Sequence, residues 1–327
     1  MNKKDLILNI LLFISQIIVF YYFFCYLFPF KEQLQMFQFT SQYLTETLKQ
    51  AGGVAIYISE FLSQFYVVFW TGPIISALLL TLVALLSSLI LKKINSRNDL
   101  PLIFLLPWLS LLIISLDYDY YEQGTIAYLF LLLFLWLYTN IKTRIKFIYG
   151  ICIIPILYGI AGPIVHLFAI SALFFEFLTN GKKKYISIIY LLIAALSAIA
   201  GTYLGYSRNL TLAFLPEAYC NPLQTVSGIY YAWYALPMTM LLVAYLKRYK
   251  EPVSLKGKCI WEGAQWAIMF LLVYQGIFHF GKLDAQHSMK QDYLLRTEQW
   301  DLVISEFNHD VLSKRRMCGL NLALAHK

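Results

Sequence analysis

Long apolar runs recur almost from one end of this sequence to the other, and no other feature restricts its fold so tightly. In hydrocarbon there is no water to satisfy backbone N–H and C=O groups, so a chain built of such runs folds as helices that bond internally. Segments bounded by charge clusters or Gly/Pro punctuation lie near residues 7–29, 72–92, 101–116, 124–140, 147–161, 163–179, 185–206, 229–246 and 260–278. The expected fold class is therefore all-α, a polytopic transmembrane helical bundle of about nine spans. Several runs fall short of the roughly 20 residues that cross a bilayer upright, so they must tilt, thin the bilayer or be partly re-entrant. Gly162-Pro163 is the expected turn within the least certain stretch, 147–179. Only 13% of residues are charged and 60% are hydrophobic, against about 25% charged in a soluble domain, which excludes a conventional water-soluble enzyme.

An odd number of spans puts the termini on opposite sides, and the basic residues test this independently. With the N-terminus inside, the inner segments hold sixteen of them: Lys3 and Lys4; Lys92, Lys93 and Arg97; Lys142, Arg144 and Lys146; Lys182, Lys183 and Lys184; Lys247, Arg248, Lys250, Lys256 and Lys258. The outer loops hold three, Lys31, Lys49 and Arg208. This asymmetry predicts N-inside, C-outside in a bacterial inner membrane, N-terminus cytoplasmic and C-terminus periplasmic. The net charge of +8 is then an orientation signal, and no nucleic-acid partner is expected. The N-terminal run lacks a small-x-small cleavage site and reads as a retained anchor.

On this topology residues 1–280 form the multi-pass domain, and 31–70 form an outer loop with two helices along the membrane surface. The first, 31–50, sets Phe37, Leu44 and Leu48 on one face and Lys31, Glu32, Gln35, Gln38, Gln42, Glu46 and Lys49 around the rest. Ala51-Gly52-Gly53 breaks it. The second, 54–70, has Ser59, Glu60, Ser63 and Gln64 as a polar face. Were it a span, Lys92, Lys93 and Arg97 would move outside and every later loop would invert.

Acidic residues gather in the outer loops. The turn LDYDYYEQGT carries Asp117, Asp119 and Glu122, with no basic residue near in sequence to neutralise them. Carboxylates at alternate positions suit a divalent cation, magnesium or manganese, or a division between base and metal ligand. The plainer alternative is an aqueous turn whose tyrosines sit in the interfacial aromatic belt. Glu60 is a second candidate acid, and Arg208, alone among bases in its loop, is the candidate contact for a lipid-linked phosphate. Glu217 shares that loop with no partner legible in sequence, and His166 reads as a packed residue. Glu176 and Glu262 fall near inner span ends where they are expected to reach water, which leaves no mid-membrane acid and disfavours ion-coupled transport. Cys25, Cys152, Cys220, Cys259 and Cys318 have no metal-ligand spacing. Only Cys220 and Cys318 lie outside the membrane, and a bridge between them has no support from spacing. The common nucleotide, hydrolase and zinc-protease motifs are absent.

Residues 281–327 are of ordinary composition and read as an extracytoplasmic helical segment. Trp300, Val303, Ile304 and Phe307 mark one helix; Leu320, Leu322, Ala323 and Leu324 mark a second. This pattern resembles tetratricopeptide repeats, of which it would be an incomplete set. LNILLFISQIIVFYYFFCYLFPFKEQLQMFQFT, GGVAIYISEFLSQFY and WDLVISEFNHDVL together resemble an uncharacterised bacterial family of polytopic inner-membrane proteins, some of which continue into helical repeats. More distantly, the long first loop with two juxtamembrane helices and the Asp117-x-Asp119 turn are similar to membrane glycosyltransferases of the C-type fold. That resemblance implies transfer from a polyprenyl-phosphate-linked sugar at the outer face, with Asp117, Asp119 and Glu60 catalytic or metal-binding and Arg208 on the phosphate. The competing expectation is a non-enzymatic anchor presenting helices to periplasmic proteins, with a transporter third.

Overall fold

A computed structural model describes residues 3–97, 100–179, 187–224, 226, 228–249, 254–281, 283–306 and 314–327. Lys182, Lys183, Lys184, Lys250 and Phe307 lie outside these. In chain order the helices are α1 (Lys3–Phe23), α2 (Leu27–Leu34), α3 (Ser41–Leu48), α4 (Gly53–Ser63), α5 (Thr71–Ile94), α6 (Leu106–Ser115), α7 (Glu122–Asn140), α8 (Thr143–Ala161), α9 (Val165–Thr179), α10 (Ile188–Tyr203), α11 (Leu210–Phe214), α12 (Gly228–Leu246), α13 (Leu255–Phe280), α14 (Leu283–Arg296), α15 (Trp300–Ser305) and α16 (Lys314–Ala325). Among the described residues there is no strand; one isolated bridge joins Tyr120 to Cys220.

By length and composition five helices are apolar enough to cross a membrane, or six if Lys256–Phe280 and Ala285–Arg296, bent by 59°, form one span. Ile103–Ser115 and Ile188–Tyr203 are apolar but shorter. The chain is a multi-pass membrane protein. Although Ile145–Thr179 counts there as a single 35-residue stretch, it is folded back on itself. Lys146 Nζ lies 2.7 Å from Glu176 Oε1, whereas thirty residues of straight helix would separate them by about 45 Å. Gly162, at φ +79°, makes the reversal, and Pro163 opens the turn into α9.

Charged caps tie the other helix ends together. Lys92 pairs with Asp5, 2.6 Å away. Lys93 donates to Thr139 and Asn140 at the end of α7. Arg97 donates to the carbonyls of Leu246 and Tyr249 just past α12, completing acceptors that a helix end leaves open. The start of α1 and α8 and the ends of α5, α7, α9 and α12 therefore share one basic end of the bundle. Glu176, expected to reach water there, is instead buried between Lys146 and the Tyr138 hydroxyl, 3.1 Å away. Isolation of a charge from water is costly unless it is paired, and here each charge has its partner.

The opposite end is built from α2, α3, α4, the 115–122 turn and the 204–222 loop. Residues 31–50 do not form one helix. The backbone is extended at Gln35, and Thr40 starts α3 afresh, its hydroxyl accepting from the Tyr43 N–H at 3.2 Å. α4 also departs from the amphipathic expectation, because Ala55, Ser59 and Ser63, spaced four apart, are all buried while Phe61 and Phe65 are exposed. Small side chains let α4 approach α7 and α8 closely. The expected polar face is thus a packing face.

α14 lies on α2. The Gln33 amide donates to Asp292 at 3.1 Å, and Tyr26 meets Tyr293 at a ring separation of 5.6 Å. Leu294, Val303 and Ala323 form a small core joining α14, α15 and α16. The tail contains one more helix than the two marked by its apolar pattern.

Candidate functional site

Two glycines position the wall of a cavity at the end opposite the basic one. Gly52, at φ +79°, ends the α3 segment and donates its N–H to the carbonyls of Tyr158 and Gly159, 3.2 and 3.1 Å away. The neighbouring Ala51 N–H donates to Tyr206 O at 2.9 Å. A Cβ on Gly52 would stand 3.0 Å from the Ala161 carbonyl carbon, so the loop reaches the α8 end only because no side chain is there. On the far side Tyr219 donates to Ala161 O and accepts from the Ile164 N–H, holding the Gly162 turn against the 204–222 loop.

The cavity so framed has a volume of about 290 Å³ and is lined by Glu60, Arg208, Glu217, Tyr121, Gln35, Gln50, Gln123, Ser207 and Cys220, among others. Two of the residues singled out in sequence, Glu60 and Arg208, therefore meet in one site although 148 positions separate them. Among the described residues Arg208 is the only basic one lining it. Glu60 takes a hydrogen bond from the Tyr43 hydroxyl, while Tyr43 is held by edge contacts with Phe37 at 5.6 Å. Burial raises the Glu60 carboxyl above its ordinary range and the Tyr43 bond draws it partly back. Glu217 accepts from Tyr230 at 2.9 Å.

Asp117, Asp119 and Glu122 do not line the cavity; they are buried behind it. The Asp119 N–H donates to Asp117 Oδ1 at 3.0 Å, an Asx turn that shapes the loop. Asn221 then clasps Asp119 twice, its side chain donating to Oδ1 at 3.0 Å and its N–H to the carbonyl at 2.8 Å. With the Tyr121 N–H donating to Tyr219 O at 3.0 Å, the two loops become one wall. Glu122 is buried on the α5 side of this wall, where the Ser76 hydroxyl lies 3.2 Å from that of Tyr66.

Contrary to the sequence expectation, these acids have a cation. Lys31, placed by its pattern on a solvated face, is only 4% exposed and donates to Ser115 O at 2.9 Å. Burial lowers its affinity for a proton, while Glu122, Asp117, Cys220 and Asp119 act to restore it. Among the described residues no three His, Cys, Asp or Glu side chains gather so as to hold a metal ion.

Cys220 and Cys318 are both free, and burial pushes the Cys220 thiol up to about 12, far from a reactive thiolate. His166 stacks on Phe214 with ring centroids 4.8 Å apart. Tyr43 and Lys31 are the residues that sequence reasoning missed, and only their place in an amphipathic loop hinted at them.

Comparison with curated proteins and with solved structures finds no match. A family described as "family of unknown function (DUF6057)" matches residues 2–327. From end to end, then, the chain belongs to the DUF6057 family.

Proposed function

We propose that the cavity at the α4 end is the centre of a glycosyltransferase that uses a polyprenyl-phosphate-linked sugar at the outer face of a bacterial inner membrane. The observation that carries this reading is the meeting of Glu60 and Arg208 in one polar cavity. Glu60, its proton affinity raised, accepts the proton of an acceptor hydroxyl as that oxygen bonds to the anomeric carbon. The bond from that carbon to the phosphate oxygen breaks, and the departing polyprenyl phosphate is neutralised by the Arg208 guanidinium. Gln35, Gln50 and Gln123 offer amides to sugar hydroxyls, and Tyr121 and Tyr206 offer ring faces. Asp117 and Asp119 serve as the clasp behind the wall. The reading takes the apolar segments as nine spans with the N-terminus inside and this cavity outside, a topology that the gathering of basic residues at the other end supports.

The test is sugar transfer from a polyprenyl-phosphate-linked donor in membranes carrying Glu60→Gln or Arg208→Ala. Loss of a general base costs about 100-fold or more. Unchanged transfer and unchanged surface glycan in both variants would sink the reading. Survival of function in those variants together with stable capture of periplasmic proteins through α14–α16 would favour the scaffold alternative, which the docking of α14 on α2 supports.

A further inference from the structure

Glu60 does not meet the cavity unsupported. The Tyr43 hydroxyl, itself outside the lining, donates to one oxygen of the carboxylate, Oε2. The other oxygen takes no hydrogen bond among the described residues and is left to the cavity that Glu60 lines. Three features fix the Tyr43 side chain in turn. The Thr40 hydroxyl accepts from the Tyr43 N–H at 3.2 Å and so starts α3. The ring meets Phe37 at 5.6 Å and Tyr57 at 6.3 Å. Gly53, where a Cβ would stand 2.3 Å from the Thr47 carbonyl oxygen, lets α3 fold back onto α4. A hydroxyl held in this way has lost its freedom before any substrate arrives.

A second acceptor completes the arrangement. The Met36 carbonyl oxygen lies 3.1 Å from the Tyr43 hydroxyl, and a phenol has one proton to give. While Glu60 is ionised, that proton goes to Oε2 in the stronger, charge-assisted bond. Once Glu60 is protonated on that oxygen, its O–H donates to the Tyr43 oxygen and the phenol proton turns to the Met36 carbonyl. Burial and the neighbouring carboxylate both push the phenol away from ionising, so Tyr43 orients without itself becoming the base. Its bond also draws back part of the rise that burial causes in Glu60 and so favours the ionised form. We infer that Tyr43 is the positioning residue of Glu60, a two-way hydroxyl that holds the carboxylate in one orientation in both of its protonation states. A general base needs this, because it must present an oxygen to the incoming hydroxyl and stay in place once protonated. The catalytic meaning rests on the glycosyltransferase reading, whereas the coupling of the two side chains does not.

The experiment uses the full chain in phosphatidylcholine nanodiscs and follows Glu60 by difference infrared spectroscopy through a pH titration, its carboxyl band being the one lost in Glu60→Gln. Tyr43→Phe should move that band to higher frequency and raise its midpoint, since a bond that favours the ionised form is gone. Fluorotyrosine at position 43, a stronger donor, should lower the midpoint, and it keeps the ring should Tyr43→Phe fold poorly. In sugar transfer from a polyprenyl-phosphate-linked donor, Tyr43→Phe should cut kcat about tenfold, part of the roughly 100-fold or more that a general base supplies. The donor KM should stay unchanged, and the acidic limb of the pH profile should shift upward with the infrared midpoint. A band, midpoint and pH profile indifferent to both substitutions would overturn the inference. So would a loss of rate that comes with a lowered melting temperature and an unmoved midpoint. A band and midpoint that move as expected while Glu60→Gln transfers sugar like the native chain would retain the Tyr43–Glu60 coupling and reject the transferase.

Discussion

Lys31 bears on the stability of the whole polar end. Its ammonium is buried with Ser115 O at 2.9 Å and faces Glu122, Asp117 and Asp119. Removing its charge leaves those buried acids less compensated. Lys31→Met should therefore lower the melting temperature in detergent sharply, and adding Glu122→Gln should recover part of the loss; additive losses in that double-mutant cycle would mean that the two charges do not interact. Glu60 leads to a prediction of opposite character. Its folded-state pKa is raised by burial, so between the unfolded and folded values the native chain holds a proton that the unfolded chain has released. The stability associated with this group is complete below the unfolded pKa and declines as pH rises through the folded one. Melting curves from about pH 4 to pH 8 should show that decline in the native sequence and a shallower slope in Glu60→Gln. Equal slopes would place Glu60 in a solvated environment. Neither residue's setting was legible in sequence, since the Ser115 carbonyl is 84 positions from Lys31 and local periodicity assigns both side chains to water. Glu60 and Arg208 did stand out in sequence, because charge is scarce here and each has few neighbours of its own kind.

At the level of elements, the wall of the cavity depends on the crossing of the α3–α4 link over the end of α8. Gly52 adopts a left-handed conformation there and touches the Ala161 carbonyl. A non-glycine residue in that conformation costs roughly 1–2 kcal/mol before any contact is counted. Gly52→Ala should destabilise by at least that amount in chemical or thermal unfolding. Gly159→Ala, three residues before Gly162 and with open space where its Cβ would stand, should be neutral or stabilising by about 0.5–1 kcal/mol. A Gly52→Ala variant as stable as the native chain would remove the crossing as a determinant of the wall. The Gly-Gly pair was visible in sequence as a helix break, but what it broke against was not. The apolar segments, by contrast, carry helix among the described residues, and five or six helices are long and apolar enough to cross a membrane, because hydrophobicity is a local property. α4 illustrates the limit of such reading: the same Ser59 and Ser63 that look like a wet face also suit close helix packing, and only the presence of α7 and α8 decides between them.

For the whole molecule the open question is which way it faces, and its own cysteines can answer it. Caps by Lys92, Lys93 and Arg97 bring the starts and ends of alternate helices to one end of the bundle, and the positive-inside rule predicts that this end faces the cytoplasm. Cys259, at the start of α13, and Cys318, in α16, are both exposed, and α13 runs between them for 26 residues, about 39 Å of helix. Variants retaining only one of these cysteines should therefore differ in a side-specific manner. A membrane-impermeant maleimide applied to intact spheroplasts should label Cys318 at once and Cys259 only after permeabilisation. Cys152 gives an internal control: it is exposed on α8 but, facing lipid in a spanning helix, should resist the reagent on either side. Reversed labelling would invert the topology, carry the Glu60–Arg208 cavity to the cytoplasm and require a donor on that leaflet. Labelling of both cysteines from outside would mean that α13 does not cross, and the docking of α14 on α2 would then have to be reached by a chain that never left that face.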